Sequence, residues 1–292
     1  MPKPSDSLWL RLTPVAFVLL WSTGYIGSKL GVPYAEPFTF LALRFALAAI
    51  LLALIAWAFG APWPRGRNWG HSMVVGVLIH GVYLGGVFWA IDRGMPAGVS
   101  ALIVGLQPLM TAMLAGALLG ERVTAWHWAG LALGLLGLGL VLGPKLDLAG
   151  SGITASTIAA VAIGTLSITL GTIYQKRFAV EAGLRAGGAL QFAGAFLFSG
   201  IVALLFERGE IAWTAPFLFA LAWLVIVLSL GAIALLMLLI RHGAVSKVAT
   251  VFYLTAPTTA LMGWAMFGET LSLVQLLGMA LTVVAVAVAM RR

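Results

Sequence analysis

The sequence predicts an all-α polytopic membrane protein with ten transmembrane helices, arranged as two inverted five-helix repeats. Hydrophobic residues make up 62% of the 292 residues and charged residues only 9%, whereas a soluble domain carries roughly 25% charged residues. The mean hydropathy is +1.07. Long apolar runs without strict alternation favour helices over a barrel. We therefore expect lipid to be the main solvent of this chain.

Ten apolar segments each approach the roughly 20 residues that a spanning helix requires. The loops between them are too short to hold a soluble domain. The first segment lacks a small-residue cleavage site, so we expect an uncleaved first helix rather than a signal peptide. The predicted spans are residues 10–30, 37–58, 69–91, 97–118, 124–142, 154–176, 186–206, 214–240, 245–267 and 273–290.

The two halves of the chain carry matching residues at a nearly constant offset. This predicts a first five-helix repeat over residues 1–145 and a second over residues 146–292. Because five is odd, the second repeat should be inverted, and inverted repeats are typical of transporters whose site lies near mid-membrane. The matches are 41–49 with 188–196 at an offset of 147, Gly120-Glu121 with Gly268-Glu269 at 148, and Arg93-Gly94 with His242-Gly243 and Pro108 with Pro257 at 149.

The basic residues indicate orientation. The formal net charge is +8, and the 17 Lys and Arg residues divide twelve to four between the two predicted faces, with Arg44 inside a span. The positive-inside rule then predicts cytoplasmic termini in a bacterial-type inner (plasma) membrane. We expect a small-molecule substrate and membrane lipid as partners, and no nucleic acid. A monomer fits the sequence, which does not decide the oligomeric state.

The sequence argues against an enzyme. All nine acidic residues fall in loops or at span ends, and no nucleophile elbow, zinc-binding His-Glu-x-x-His helix or P-loop is present. We therefore expect no catalytic residues, metal or cofactor. The lack of a mid-membrane carboxylate also disfavours a carrier that exchanges protons at Asp or Glu. Glu121 and Glu269 each follow a glycine that can end a helix, so we expect both to cap the next helix.

Pro108 and Pro257 lie centrally in the fourth and ninth predicted spans. A proline inside a helix removes a backbone hydrogen bond and tends to kink it. Interrupted helices at matched positions point to a substrate site, although a static packing kink remains an alternative. Gln107 directly precedes Pro108, and its amide could bind a ligand or satisfy the carbonyl that the kink frees.

His80 lies near the middle of the third predicted span, where a polar side chain should face the bundle interior or a water-filled cavity. Tyr83 is three residues further on and should share its helix face. Gly81, Gly85 and Gly86 should leave room for a solute beside His80. The alternatives are a substrate or proton-transfer role and a hydrogen bond to a neighbouring helix.

Arg44 lies about seven residues into the second span, roughly 10 Å at 1.5 Å per residue. A charge at this depth costs about 2.5–3.5 kcal/mol, so it should snorkel outward, pair with a carboxylate or face the cavity. Mid-span aromatic rings could stack on an aromatic substrate, although core packing is the simpler role for each. The predicted substrate-binding residues are His80, Tyr83, Trp21, Tyr25, Gln107, Arg44, Tyr174 and Tyr253.

The fifth and tenth spans are rich in glycine and alanine, including Gly130, Gly134, Gly137 and Gly278. Small residues let helix backbones approach closely in lipid. We therefore expect these two spans to form a packing scaffold.

The repeat, the Pro-to-Gly-Glu spacing that follows Pro108 and Pro257, and Leu20-Trp21-Ser22 resemble the drug/metabolite transporter superfamily, in particular its EamA-type branch of ten-helix carriers. The resemblance covers nearly the whole chain. It implies a transporter, and members that it resembles export amino acids, including aromatic ones, and other metabolites. The alternatives are import, transport of sugars or cationic drugs, or an intramembrane enzyme or lipid-handling protein.

Overall fold

The computed structural model describes residues 8–95, 97–145, 152–179, 183–267 and 270–290. Glu269 falls outside these ranges, and the side chain of Tyr25 is not among those described. The chain folds into helices, with bounds α1 Leu8–Gly31, α2 Pro37–Ala58, α3 Arg67–Gly76, α4 Tyr83–Asp92, α5 Ala97–Val104, α6 Gln107–Leu119, α7 Ala125–Leu142, α8 Ala155–Phe178, α9 Leu184–Phe206, α10 Ala215–Trp223, α11 Ile233–His242, α12 Val245–Val251, α13 Thr255–Phe267 and α14 Leu273–Ala289.

Seven helical stretches of the described chain are long and apolar enough to cross a membrane. Two shorter apolar helices, Leu12–Gly24 and Leu273–Ala289, accompany them. The protein is therefore a multi-pass, all-α membrane protein, and the count of ten spans stays a prediction. The seven stretches are Pro37–Ala58, Arg67–Asp92, Val99–Leu119, Ala125–Leu142, Ala155–Phe178, Leu184–Phe206 and Ala215–His242.

Two of the long stretches contain π-helical turns near their middle. Val77–Val82 connects α3 to α4, and Leu224–Ala232 connects α10 to α11. A π turn inserts an extra residue into the helix and is frequent at functional sites. These turns rotate the helix faces that follow them, so residue spacing alone does not give the direction of a side chain here.

Helix breaks precede both prolines that the sequence analysis singled out. α5 ends at Val104, and α6 starts at Gln107 with Pro108 in its first turn. The 3₁₀ turn Phe252–Leu254 separates α12 from α13, which carries Pro257 as its third residue. Proline is tolerated in a first turn, where its missing N–H has no helical partner. The predicted interruptions are thus present, but as breaks before each proline rather than kinks at it.

Helices from the two halves of the sequence pack against each other throughout the bundle. α2 lies along α9, and α7 lies along α14. α8 packs against α3, α4 and the π turn between them, while α1 packs against α10, α11 and the second π turn. The largest buried apolar cluster lies between α1, α2, α9, α10, α11 and α12.

Small residues form the contact between α7 and α14. A Cβ placed on Gly137 would lie 2.9 Å from the Gly278 carbonyl oxygen, and one on Gly278 would lie 2.8 Å from that of Gly137. A Cβ on Gly130 would lie 2.6 Å from the carbonyl oxygen of Ala285. Only glycine fits at these positions without a shift of the backbones, which confirms the close helix packing predicted for these two segments.

Glu121 and Lys176 hold the loop between α11 and α12, here termed the α11–α12 junction. The Glu121 carboxylate accepts from the N–H of Val245 at 2.7 Å and from the N–H and hydroxyl of Ser246 at 3.1 and 2.7 Å. Gly120 ends α6 in the left-handed conformation with φ 67°, as predicted. The predicted cap was wrong in its partner: Glu121 caps α12, whereas Thr124 caps α7 by accepting from the N–H of His127.

The opposite side of the junction is held by Lys176 of α8. Its Nζ donates to the carbonyls of Ile240, Arg241 and Gly243 at 2.9, 3.1 and 3.1 Å. A cation at a helix C-terminus complements the helix dipole, as a carboxylate does at an N-terminus. The junction is therefore capped on both sides by charges, one from the loop after α6 and one from α8.

Candidate functional site

A buried polar cluster lies where α2, α9 and the two π turns meet. It consists of Arg44, His80, Gln191 and Ser229, here termed the central quartet. Their exposed fractions are 6%, 2%, 1% and 1%. The side chains come from four separate stretches of sequence, so this cluster exists only in the folded bundle.

Arg44 is held inside the bundle rather than at its surface. Its Nε donates to the Ser229 hydroxyl at 3.0 Å, and its guanidinium lies 5.8 Å from the centre of the Phe45 ring. Burial excludes the predicted option that Arg44 snorkels outward. Among the described residues the ion pair that forms is Arg93–Asp92, so the option of a carboxylate partner also receives no support there.

His80 stacks on a phenylalanine of α9. The His80 and Phe192 rings lie 4.6 Å apart at an interplanar angle of 14°, and Phe45 lies 6.1 Å away on α2. Arg44 lies within electrostatic reach of the imidazole, and the Gln191 side chain is near enough for a loose hydrogen-bonding contact with it. Within the described structure, Nε2 of His80 and Nε2 of Gln191 have no hydrogen-bond partner. Buried polar atoms are normally paired, so two orphans in one cluster are a notable feature.

Close backbone contact brings Gln191 to this position. A Cβ on Gly76 would collide with the carbonyl of Gln191, and a Cβ on Gly194 would collide with the carbonyl of Met73. α3 and α9 therefore meet through glycines directly before the π turn that carries His80. The close approach of these backbones sets the Gln191 side chain beside the imidazole.

The predicted free space beside His80 is filled by protein. A Cβ on Gly81 would meet the Phe198 ring at 2.8 Å, one on Gly85 would collide with the Phe38 ring, and one on Gly86 would collide with the carbonyl of Ala160. The prediction that these glycines leave room for a solute was wrong, because neighbouring helices use them to pack closely.

Tyr83 does not share a cluster with His80. It is buried with Val75, Ile79 and Ile168 on the side of α8, whereas His80 packs on α2 and α9. The prediction of a common helix face was wrong because the π turn Val77–Val82 ends between the two residues and changes the angle between them.

A narrow cleft lies between α6, α8, α11 and α12, and in this conformation it is too tight to hold a water molecule. Gln107 and Thr172 supply its polar lining, and Phe252 with aliphatic side chains of α11 and α12 supplies the rest. Gln107 is 2% exposed, and its Nε2 donates to the Thr111 hydroxyl at 3.2 Å. The cleft thus adjoins the helix breaks before Pro108 and Pro257.

The remaining predicted residues lie in separate surroundings. Trp21 packs between Phe17 and Phe252, each with ring centres 5.2 Å from its own, which brings it next to the cleft. Tyr174 donates or accepts a 2.6 Å hydrogen bond with Nδ1 of His71. Tyr253 is buried against Gly134, and its hydroxyl has no partner among the described residues. The structure therefore does not unite all predicted aromatic side chains in one site.

Several members of these sites escaped the sequence analysis. Ser229 is the partner of Arg44, and Thr172 lines the cleft. The offset of 149 residues between the halves pairs His80 with Ser229, so extending the repeat register residue by residue could have found it. The offset of 147 likewise pairs Thr172 with Tyr25, which the sequence analysis had selected. Among the described residues, His, Asp and Glu side chains form no group of three that could hold a metal ion.

The chain is similar to known membrane transporters over most of its length. It is 28% identical over 276 residues to an uncharacterized inner membrane transporter, YedA, of Escherichia coli (strain K12), covering 93% of this chain and 87% of that protein. It is 25% identical over 160 residues to a probable amino-acid metabolite efflux pump of Salmonella typhimurium, covering 55% of this chain and 51% of the relative.

The fold is also found among solved structures. A crystal structure covers 97% of both chains with a TM-score of 0.80 and 20% identity, a likeness that concerns the fold alone. The profile of the EamA-like transporter family matches residues 9–143. With its relatives among inner membrane transporters, the chain is a membrane transporter whose residues 9–143 match the EamA-like transporter family.

Proposed function

We propose that this protein is a secondary transporter that exports small metabolites, most favourably amino acids, through a cavity between two inverted five-helix repeats. The observation that carries the proposal is the pair of helix breaks before Pro108 and Pro257, which adjoin a cleft formed by both halves. Interrupted helices at repeat-equivalent positions are typical of substrate sites in such carriers. The Gln107 amide and the Thr172 hydroxyl lie beside the apolar walls of this cleft, a combination that would suit an amphipathic solute once the helices around the cleft move apart during transport.

The pattern of helix packing supports the repeat. At offsets of 147–149 residues, α1 corresponds to α8, α3 to α10 and α4 to α11. The contact of α8 with α3 and α4 therefore has a counterpart in the contact of α1 with α10 and α11. The same correspondence maps the contacts α2–α9 and α7–α14 onto themselves. The two π turns correspond to each other as well. A two-fold relation between the halves accounts for these coincidences together.

Cytoplasmic termini and an inverted second repeat together predict on which side of the membrane each half of the chain ends. Reporter fusions at Lys145 and at Arg292 should report opposite sides of the membrane, because five spans separate them and the basic residues divide twelve to four between the faces. Reporters on the same side would contradict the inverted repeat.

Export of amino acids is suggested by one relative, named as a probable amino-acid metabolite efflux pump. Flux of labelled L-phenylalanine and L-leucine from proteoliposomes that contain the purified chain, with and without a pH gradient, tests it. Protein-dependent flux supports the proposal, and a response to the gradient would indicate proton coupling. Flux of a sugar or a cationic drug in place of the amino acids would contradict the proposed substrate class but not the transporter.

A further inference from the structure

We propose that the central quartet, which is closed in this structure, binds the carboxylate of the transported solute when the surrounding helices move apart, with Arg44 as the charged anchor. The inference rests on the proposed transport function and adds the chemical group that this buried cluster recognises. The quartet differs from the Gln107 cleft in its chemistry, because it holds a permanent cation.

The charge of Arg44 is the first argument. A guanidinium is always protonated in proteins, and this one is 6% exposed inside an apolar bundle. A buried cation without a counter-ion is costly. Within the described chain no Asp or Glu pairs with it. After Nε has donated to Ser229, the two Nη groups keep the fork that binds carboxylates through two parallel hydrogen bonds.

The unpaired groups beside Arg44 are the second argument. Nε2 of Gln191 carries two N–H groups that have no acceptor among the described residues, and Nε2 of His80 also lacks a partner. An ionised carboxylate is purely an acceptor, with about four lone-pair sites. One such group can satisfy donors from Arg44 and Gln191, and also His80 in the tautomer that carries the proton on Nε2. A cationic solute would be repelled by Arg44, and an apolar one would leave these donors unpaired.

The repeat register is the third argument. An offset of 147 residues relates Arg44-Phe45 to Gln191-Phe192, and an offset of 149 relates His80 to Ser229. The bonded pair Arg44–Ser229 therefore has a repeat-equivalent pair, Gln191–His80, which is also in contact range. Phe45 and Phe192 flank the imidazole and are 5.9 Å apart. Each half thus contributes two side chains at equivalent positions to the quartet. The first half supplies the charged Arg44, whereas the second supplies only the neutral Gln191 and Ser229.

Binding of matched acid and amide pairs tests the proposal. We would follow the thermal unfolding of the detergent-purified full chain by tryptophan fluorescence with 3-phenylpropionate, hexanoate and succinate, each against its amide. At least one acid should stabilise the protein at a half-saturating concentration about tenfold or more below that of its amide, as expected for a charge-assisted hydrogen bond. Equal effects of acid and amide, or no effect of any acid, would overturn the inference.

Variants assign the effect to Arg44. Arg44→Gln copies the residue at the repeat-equivalent position, and it should reduce the acid-to-amide ratio to near one. Arg44→Lys keeps the charge but loses the fork, and it should retain an intermediate ratio even if Arg44→Gln does not fold. Leu204→Ala, at a side chain that is 86% exposed on α9, should behave as wild type. Full discrimination in Arg44→Gln would exclude the quartet as the carboxylate site.

Flux separates this inference from the proposed function. Labelled L-phenylalanine that moves through the wild-type chain while acids and amides bind alike would uphold the transporter and overturn the carboxylate anchor. Acid-selective binding that depends on Arg44, without amino-acid flux, would uphold the anchor and overturn amino acids as substrates.

Discussion

The α11–α12 junction and the central quartet both bring polar side chains from distant helices together, but they differ in how well these groups are satisfied. At the junction, Glu121 accepts three hydrogen bonds at 2.7 to 3.1 Å and Lys176 donates three at 2.9 to 3.1 Å. In the quartet, Arg44 donates one to Ser229, while two buried nitrogens have no partner within the described structure.

This difference separates a structural role from a binding role. Charges that satisfy helix ends stabilise the fold and leave little capacity for a ligand. Buried donors without acceptors reduce stability and can gain it back when a ligand supplies the acceptor. We therefore expect substitutions at the junction to act on stability, and substitutions in the quartet to act on transport.

Glu121→Ala should cause the largest loss of stability. It removes the acceptor of three hydrogen bonds at the start of α12, and we expect about 2–3 kcal/mol lower free energy of unfolding from a lost cap and charged hydrogen bonds. The thermal unfolding midpoint in detergent measures the effect. Glu210→Ala removes an exposed glutamate and serves as the control. Equal midpoints for the two variants would contradict a structural role for Glu121.

Lys176→Met should lower the free energy of unfolding by less, about 1–2 kcal/mol, because the carbonyls at the end of α11 can accept hydrogen bonds from water instead. Its neighbour Arg177 is exposed and makes a single long bond, 3.4 Å, to the carbonyl of Leu118. Arg177→Met therefore changes the net charge equally and should leave the midpoint nearly unchanged. A larger loss in Arg177→Met than in Lys176→Met would show that charge, not capping, decides stability at this end.

Pro108→Ala should alter transport more than stability. Because Pro108 occupies the first turn of α6, alanine fits the same backbone, and we expect a change within about 1 kcal/mol. The substitution permits α5 and α6 to join, so flux should fall several-fold. Pro257→Ala, at the repeat-equivalent position, should act in the same direction. Unchanged flux in both variants would show that the two prolines contribute to helix packing and not to transport.

His80→Ala should have the smallest effect on stability and a large effect on flux. The substitution removes the imidazole that stacks on Phe192, which lowers stability. It also removes a buried nitrogen without a partner, which raises stability, so the two effects on the free energy of unfolding oppose each other. Flux should fall by about tenfold or more, the equivalent of one lost hydrogen bond to a charged group. His80→Gln should recover part of it if hydrogen bonding is the role, and little if the imidazole transfers protons.

Failure of His80→Ala to fold would favour a structural role for the imidazole. Normal flux in a folded His80→Ala would remove His80 from the site. Either result would also weaken the contrast between the quartet and the junction.

Much of the fold could be predicted from hydrophobicity, because a chain in lipid must form helices of a length set by the bilayer. The predicted span 37–58 coincides with α2, and the span 245–267 covers α12 to α13. Glycines at 130, 137 and 278 predicted that the fifth and tenth spans pack closely, and the structure shows that they do so against each other. These features depend on local composition and on spacing along one helix, which the sequence contains directly.

The site was predicted only in part. His80 and Arg44 could be singled out because polar residues are rare at mid-span. Gln191 was not selected, although an offset of 147 relates it to Arg44. The common face of His80 and Tyr83 could not be judged correctly, because a π turn changes the angle between residues and leaves no plain mark in the sequence. The partner of Glu121 likewise depended on which loop the bundle brings to α6.

The sequence by itself determined that this protein lies in a membrane, that its halves carry matching residues at a nearly constant offset and that its charged residues are few. These properties follow from composition and repetition, which do not depend on how the helices pack. Only the tertiary structure decided which polar residues meet. Ser229 reaches Arg44 across 185 residues of sequence, and Glu121 reaches Ser246 across 125. Such contacts are set by the packing of separate helices in three dimensions, to which residue spacing along the chain gives no direct access.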